Sequence, residues 1–311
     1  MGNLLLATPM LRTLRDMKPE ARISVLTWER GADIIQGMPW IDDVITHAHE
    51  HFVRSIGGLD YLLLSPVAHL RYPLVFANSK KIIEIPGREG PWIKSEASYN
   101  LDLLKEFGYD TSSPCQYGPF CYINEWHIDQ AINAIKPIKP QSYIAIAAGY
   151  LRSDHWSLKH FGNDNYRQLI KQLIKNYNIV LVGSEEDRKD ADFILATGET
   201  NNLRLNLCGR LDIKTSAAVI AGAKAIIGND GGLLHVAACF DLPTVAIWTF
   251  TSLIKNMPLN PNLILAAEQC NKRTICQHGW FAKCEYEQKC RKISVEKVLN
   301  KFNQLIEKCY G

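Results

Sequence analysis

One stretch constrains the fold of this chain more than any other: an apolar run at 225–229 leads through two glycines into an apolar segment that reaches Ala238. Small and β-branched residues in such a run are typical of a strand covered on both faces. Gly231 and Gly232 let the backbone approach a ligand without a Cβ atom in the way. The N–H groups that open the following helix favour phosphate, and Asp230 can accept hydrogen bonds from sugar hydroxyls. The stretch indicates a nucleotide-sugar site, with an ordinary capped turn as the alternative.

Strand-like and helix-like patterns alternate on both sides of a Pro-rich segment at 136–140, which is typical of a rigid linker. Such alternation predicts parallel sheets covered by helices on both faces. We therefore predict an α/β fold with two doubly wound domains, residues 1–137 and 138–294, and a ligand cleft at the carboxyl ends of their strands. The apolar pattern at 295–311 predicts a separate amphipathic helix that packs in a core.

The segments around the Gly-rich turn share a pattern with a known family. They are Leu211, residues 221–224, residues 230–238 and residues 242–248. Together they resemble the donor-binding signature of glycosyltransferase family 9, which includes the heptosyltransferases that build lipopolysaccharide cores. The family's usual form is Asp-Thr-Gly followed by a helical His, and Gly231 stands in place of the Thr. The resemblance assigns to donor binding Asp230, Gly231, Gly232, His235 and, as a residue that packs on the base or simply in the core, Leu211.

The resemblance implies both a fold and an activity. The fold is two Rossmann-like domains facing a cleft, known as the GT-B fold, with packing of the helix at 295–311 back on the first domain as an option. The activity is inverting transfer of a heptose from ADP-heptose to a bacterial lipopolysaccharide-type saccharide, with no cofactor required for catalysis. Two other functions stay open: a non-catalytic or decayed relative that binds nucleotide sugars, and a family member that glycosylates a protein.

Thr8 followed by Pro9 predicts the start of a helix near the beginning of the sequence. The segment from Gly2 to Leu14 resembles the family's first strand-to-helix turn, in which an N-terminal strand comes first. Met1 matches an internal residue of that pattern, so we expect the first strand to be missing from this sequence. Asn3 stands where most of the family has the Asp taken as the catalytic base. An amide cannot accept a proton at neutral pH, although it can orient a hydroxyl by hydrogen bonding. A plain turn residue is the alternative for Asn3.

Two further turns follow predicted strands of the second domain. Gly149 and Tyr150 follow the first of these strands and can present N–H groups to a phosphate. Gly183, Glu185 and Glu186 follow the second strand, where carboxylates can bind ribose hydroxyls. Acidic residues also favour the first turn of a helix, so helix capping is the alternative for the two glutamates.

The segment 151–157 resembles the family's basic-Trp-Pro turn, whose Lys contacts the donor phosphates. Asp154 falls at the position of that Lys, so another residue must supply the cation. Arg152 is the first candidate because a guanidinium can bind phosphate through two hydrogen bonds, and Lys159 is another.

A loop of the first domain carries Arg88, Trp92 and Lys94. In the family this domain receives the acceptor, so the resemblance makes these residues candidates for contact with an anionic lipid saccharide. Solvated loop charges are the alternative.

Four cysteines cluster near the end of the second domain: Cys270, Cys276, Cys284 and Cys290. Four thiolates can hold Zn or Fe in a tetrahedral structural site, but none of the spacings is the tight Cys-x-x-Cys of a typical zinc site. Free thiols and disulfides are the alternatives.

A net charge of +3 over 311 residues gives no reason to expect a nucleic-acid partner. The sequence has no apolar run of membrane-spanning length and no basic-then-apolar leader. We therefore expect a cytoplasmic protein, with peripheral contact at the inner face of the bacterial inner membrane as an option.

Overall fold

The computed structural model describes residues 1–46, 58–65, 79–84, 93–112, 115–150, 158–198, 202–249, 251–268 and 289–311. Backbone contacts divide the chain into two compact units. The first unit comprises Met1, Asn3–Tyr122 and Ile254–Met257, and the second comprises Gly2, Ile123–Leu253 and Pro258–Gly311. The division falls before the helix at Glu125–Ile135, whereas the sequence-predicted boundary falls after it, because this helix packs on the helix at Ile213–Ala221 of the second unit.

The first unit is built from short parallel strand pairs and helices. Its helices are α1 (Gly2–Leu5), α2 (Thr8–Met17), α3 (Glu29–Ile35) and α4 (Glu96–Asp102), followed by a 3-10 turn at Leu103–Phe107. Its strands are β1 (Ser24–Thr27), β2 (Asp43–Thr46), β3 (Leu59–Leu64) and β4 (Ser79–Glu84). β1 pairs in parallel with β2, and β3 pairs in parallel with β4. The predicted α/β character of this half is confirmed.

The start of α2 shows why a local sequence signal worked. Thr8 opens the helix with Pro9 in the first turn, as the Thr-Pro pair predicts. The Thr8 hydroxyl donates to the carbonyl of Leu5 at 2.7 Å, and the same oxygen accepts from the N–H of Phe120 at 2.9 Å. This buried hydroxyl therefore ties the two short N-terminal helices to a distant segment of the same unit.

The second unit contains a six-stranded parallel sheet with the order β10-β9-β8-β5-β6-β7. The strands are β5 (Tyr143–Ala147), β6 (Asn178–Leu181), β7 (Arg204–Asn206), β8 (Ala225–Asn229), β9 (Thr244–Trp248) and β10 (Leu263–Ala267). The helices are α5 (Glu125–Ile135), α6 (Asn163–Leu173), α7 (Arg188–Leu195), α8 (Ile213–Ala221), α9 (Gly232–Ala238) and α11 (Val295–Tyr310), with 3-10 turns at Glu185–Asp187 and Lys289–Arg291. Helix α10 (Leu253–Asn256) begins at the last residue of this unit's middle segment and belongs to the first unit from Ile254 onward. After β5 the chain adds β6 and β7 on one side of the sheet, and from β8 it adds β9 and β10 on the other side. The direction of strand addition therefore reverses between β5 and β8. This is the switch point where doubly wound sheets bind ligands.

The core of the second unit lies on both sides of this sheet. Every residue of β5, β8 and β9 is buried, which explains their unbroken apolar patterns. Helix α11 contributes Phe302 and Leu305, which are at most 1% exposed, to the same hydrophobic cluster as the sheet. The apolar face of this helix therefore packs in the core of the second unit, and packing of 295–311 back on the first domain stays a prediction.

Candidate functional site

The Gly-rich turn lies at the carboxyl edge of the second unit's sheet, directly after β8. β8 runs between β5 and β9, with Gly228 opposite both Ala147 and Ala246. A Cβ atom on Gly228 would lie 2.8 Å from the Cβ of Ala147 and 2.9 Å from its carbonyl oxygen. Only glycine allows the strands to come this close, so Gly228 sets how tightly the end of β8 fits beside β5.

Asp230 is the centre of a buried charge cluster. Its side chain is 4% exposed, and its Oδ2 lies 2.7 Å from Nζ of Lys159. The hydroxyl of Thr251 donates to the same oxygen at 2.5 Å. A buried carboxylate needs such partners because loss of hydration is costly, and the lysine also balances its charge. The fold therefore brings a cation, a carboxylate and a hydroxyl from three separate loops to one point.

The sequence pointed to Lys159 and Asp230 but not to Asn229, the residue directly before Asp230. Its Oδ1 accepts from the backbone N–H of Phe161 at 3.1 Å and from the hydroxyl of Tyr166 at 2.9 Å. Its Nδ2 donates to the carbonyls of Ala148 at 2.9 Å and Gly149 at 3.3 Å. The side chain thus joins the ends of β5 and β8 to the segment that leads into α6. A polar residue at the end of an apolar strand was the signal that could have found it.

His235 lies one turn into α9 and is 5% exposed. Burial lowers its pKa to about 4; the negative charge of Asp230 opposes this shift and the positive charge of Lys159 adds to it. The imidazole is therefore neutral at pH 7 and adds no positive charge beside Lys159 and Asp230.

Acidification is expected to destabilise the second unit through His235. The unfolded imidazole has a pKa of about 6.5, so the unfolded state binds a proton first as the pH falls. The stabilisation is complete above pH 6.5 and is lost between about 6.5 and 4, by about 3 kcal/mol at most. Urea unfolding at pH 7 and pH 5 measures this loss. A His235→Gln variant, which does not titrate, should lose less stability over this range; an equal loss would contradict the assignment.

The turn after β6 is held by a capping interaction. The backbone N–H and the hydroxyl of Ser184 both donate to Oδ2 of Asp187, at 2.9 Å and 2.8 Å. A Cβ atom on Gly183 would lie 2.9 Å from this oxygen, and one on Gly149 would clash with it. The two predicted glycines therefore allow the ends of β5 and β6 to close around Asp187.

The glutamates predicted to bind ribose lie on the surface of this turn. Glu185 and Glu186 are both exposed, and Oε2 of Glu185 pairs with Arg188 at 2.5 Å. Arg188 also donates to the carbonyl of Gly209 at 3.0 Å. Ser184 and Asp187 make the capping hydrogen bonds, and both glutamates lie in the first turn of this 3-10 helix, where acidic residues are favoured. The helix-terminus explanation and the ribose role therefore both stay open.

The remaining predicted residues fall in several places. The ring of Tyr150 stacks on His160 with centroids 4.0 Å apart and an interplanar angle of 18°. Leu211 is half-buried at the start of the segment that leads into α8. Asn3 is exposed within α1. Lys94 forms an ion pair with Asp102, which competes with the proposed contact to an acceptor.

Several other predictions lie outside the described residues. They concern Arg88, Trp92, Arg152, Cys270, Cys276 and Cys284. Of the cysteine cluster, Cys290 is described, and it is buried in the 3-10 turn at Lys289–Arg291. Among the described residues, no three His, Cys, Asp or Glu side chains are grouped as metal ligands.

No helix in the described ranges combines the length and the apolar character that a membrane span requires.

Comparison with known proteins places these features in a family. The model of glycosyltransferase family 9 (heptosyltransferase) matches residues 121–280. Lipopolysaccharide heptosyltransferase 2 of Escherichia coli strain K12 is 31% identical over 346 aligned positions, which cover 98% of this chain and 95% of the relative. Lipopolysaccharide heptosyltransferase 2 of Salmonella typhimurium is 40% identical over 93 residues, which span 29% of this chain and 27% of the relative.

A solved structure shows the same fold. The structure of E. coli ADP-heptose lps heptosyltransferase II superposes with a TM-score of 0.73 at 22% identity, over 98% of this chain and 95% of that one. This likeness confirms the predicted GT-B class of α/β fold. Since the family model covers half of the chain and a relative matches nearly all of it, the chain belongs to glycosyltransferase family 9, the heptosyltransferase family of glycosyl-transferring enzymes.

Proposed function

We propose that this protein is an inverting glycosyltransferase that moves a heptose from ADP-heptose to a lipopolysaccharide-type saccharide acceptor. Family membership supports glycosyl transfer, and a solved relative is named as an ADP-heptose enzyme. The single observation that carries the proposal is the pair Lys159 and Asp230, 2.7 Å apart at the switch point of the second unit's sheet. A cation beside a carboxylate suits a ligand that has phosphate at one end and sugar hydroxyls at the other.

The chemistry follows from the charge that develops on the leaving group. The acceptor oxygen bonds to the anomeric carbon while the bond from that carbon to the phosphate oxygen breaks. ADP leaves with the electron pair, and the acceptor proton passes to a base. In the proposed mechanism Lys159, with the backbone N–H groups of Gly231 and Gly232, stabilises the growing negative charge on the pyrophosphate. No cofactor is required for these steps.

Asn3 is the weak point of this mechanism, since an amide cannot take the acceptor proton. Replacement by aspartate restores the group that most of the family has at this position. We expect Asn3→Asp to raise the rate of ADP release in the presence of acceptor by about 10²-fold, the lower range of general-base catalysis. The rate is measured by coupled detection of ADP, with Asn3→Ala as the matched control.

The result decides between two functions. If Asn3→Asp is faster and Asn3→Ala is not, residue 3 faces the acceptor hydroxyl and the protein is a transferase. If neither variant nor the wild type releases ADP with any lipopolysaccharide-type or protein acceptor, while all bind ADP-heptose, the protein is a non-catalytic binder. The amide at Asn3 is the specific observation that favours this second function.

The remaining assignments are proposals attached to this function. We assign Gly149, Tyr150 and Arg152 to donor binding with the Lys159 site, and Glu185 and Glu186 to the ribose. We also propose that Arg88, Trp92 and Lys94 contact the acceptor. Two further parts of the proposal are peripheral contact with the inner membrane and a structural metal at the cysteine cluster.

A further inference from the structure

Three residues with hydroxyl side chains lie in the segment that follows β9. Thr249, Thr251 and Ser252 are 2%, 3% and 1% exposed. Burying hydroxyl groups carries a free-energy cost unless each finds a hydrogen-bond partner. Three such residues at the carboxyl edge of the strand beside β8 therefore call for a reason beyond packing.

Thr251 is fixed in place by two hydrogen bonds. Its carbonyl oxygen accepts from Nε1 of Trp248 at 2.9 Å, and its own hydroxyl donates to Oδ2 of Asp230 at 2.5 Å. Because the hydroxyl proton is used by Asp230, the lone pairs of Thr251 Oγ1 are available to a donor group of a ligand. The pair of Thr251 and Asp230 is thus arranged in advance for a ligand that can donate.

Thr249 differs from Thr251 in the hydrogen bonding of its hydroxyl. Its Oγ1 is buried and has no hydrogen-bond partner among the described residues. An unsatisfied buried hydroxyl costs about 1–3 kcal/mol. Valine has the same shape without this cost, so the threonine is a sign that the hydroxyl has a partner in another state of the protein.

Strand order puts Thr249 at the same edge of the sheet as the Gly-rich turn. Asn229 lies opposite Ile247 in the parallel pair, and the N–H of Asp230 donates to the carbonyl of Ile247 at 3.2 Å. Counting two positions along each chain from this pair gives Gly231 and Thr249. The unsatisfied hydroxyl therefore lies at the same edge of the sheet as the charge cluster.

We propose that Thr249 and Thr251 form a subsite that binds hydroxyl groups of the transferred sugar, a neutral polyol. This inference rests on the proposed function and adds residues that it did not include. A sugar hydroxyl can both donate and accept a hydrogen bond. It can therefore bond to the unsatisfied hydroxyl of Thr249 and also donate to Oγ1 of Thr251. A phosphate fits less well here, because Asp230 lies within hydrogen-bond distance of Thr251 and repels an anion.

The test separates binding of the sugar from binding of the nucleotide. Isothermal titration with ADP and with ADP-heptose is carried out on the wild type, Thr249→Val and Thr249→Ser. We expect Thr249→Val to weaken binding of ADP-heptose about 10-fold and to leave ADP affinity within about twofold. Thr249→Ser keeps the hydroxyl and should restore most of the difference.

A stability measurement sharpens the test. Since Thr249→Val removes an unsatisfied hydroxyl, its melting temperature without ligand should be equal to or higher than that of the wild type. The matched control is Thr244→Val at the other end of β9, where the hydroxyl donates to the carbonyl of Leu242 at 2.7 Å. That variant should melt lower and bind both ligands as the wild type does.

The outcomes distinguish this inference from the proposed function. If the wild type binds ADP-heptose no better than ADP, the sugar is not recognised and the proposed donor is wrong. If the wild type prefers ADP-heptose and Thr249→Val keeps that preference, the subsite is wrong while the donor stands. Should Thr249→Val fail to fold, singly deoxygenated donors test the wild type directly: one of them must lose about 10-fold in affinity, and equal affinities would overturn the subsite.

Discussion

Replacing Lys159 by methionine is expected to lower the rate of ADP release from ADP-heptose by about 10²–10³-fold, the usual effect of losing one group that stabilises developing charge. Methionine keeps the length and apolar stem of the side chain but removes the ammonium that lies 2.7 Å from Asp230. The carboxylate then keeps its hydrogen bond from Thr251 but has lost its counter-charge. The rate is measured at saturating donor, and melting curves give the folded fraction by which it is corrected.

Two variants serve as controls for this experiment. Lys159→Arg keeps the charge and should retain a substantial part of the rate. Lys171→Met removes a charge from an exposed position on α6 of the same unit and should have no effect. If Lys159→Met keeps the wild-type rate while Arg152→Met loses it, Arg152 binds the pyrophosphate and Lys159 serves only to balance Asp230.

Replacing Asn229 by leucine is expected to have the largest effect on stability. Leucine removes four hydrogen bonds and leaves the N–H of Phe161, the hydroxyl of Tyr166 and the carbonyl of Ala148 unsatisfied in the interior. Such groups cost about 1–3 kcal/mol each and are not additive when they share one partner, so we expect a loss of about 4 kcal/mol. Urea unfolding measures it.

A graded series makes this prediction specific. Tyr166→Phe removes one of the four bonds and should cost about 1 kcal/mol. Asn178→Leu removes an asparagine that also bonds the backbone, through the carbonyl of Ser142 and the N–H of Leu203, but at exposed positions where water can replace it. It should cost less than Tyr166→Phe, and an effect as large as that of Asn229→Leu would show that the buried network has no special role.

Activity should follow the same order in this series. Phe161, whose N–H bonds to Asn229, lies two residues after Lys159, so the network that stabilises the edge of the sheet also holds the lysine opposite Asp230. Variants that loosen Asn229 should raise the Michaelis constant for the donor before they unfold the protein.

The sequence alone was sufficient for features that depend on neighbouring residues. The apolar run of β8 predicted a strand covered on both faces, and the apolar run of β5 predicted a second strand; both are fully buried. Thr8 and Pro9 predicted the start of α2 through local helix chemistry. The turn from Asn229 to Gly232 could be predicted because glycines at a strand end allow a tight turn and a close backbone approach that a Cβ atom would prevent.

Only the tertiary structure decided which side chains meet at the carboxyl edge. Lys159 reaches Asp230, Asn229 holds Phe161, and Thr251 donates to Asp230, although each pair is far apart in sequence. These contacts depend on strand order and register, which bring the ends of β5, β8 and β9 together, and no local pattern encodes them. The same holds for α11. Its apolar stripe predicted that one face of the helix is buried, but such a stripe does not determine which surface the helix packs on. In the structure this surface is the sheet of the second unit.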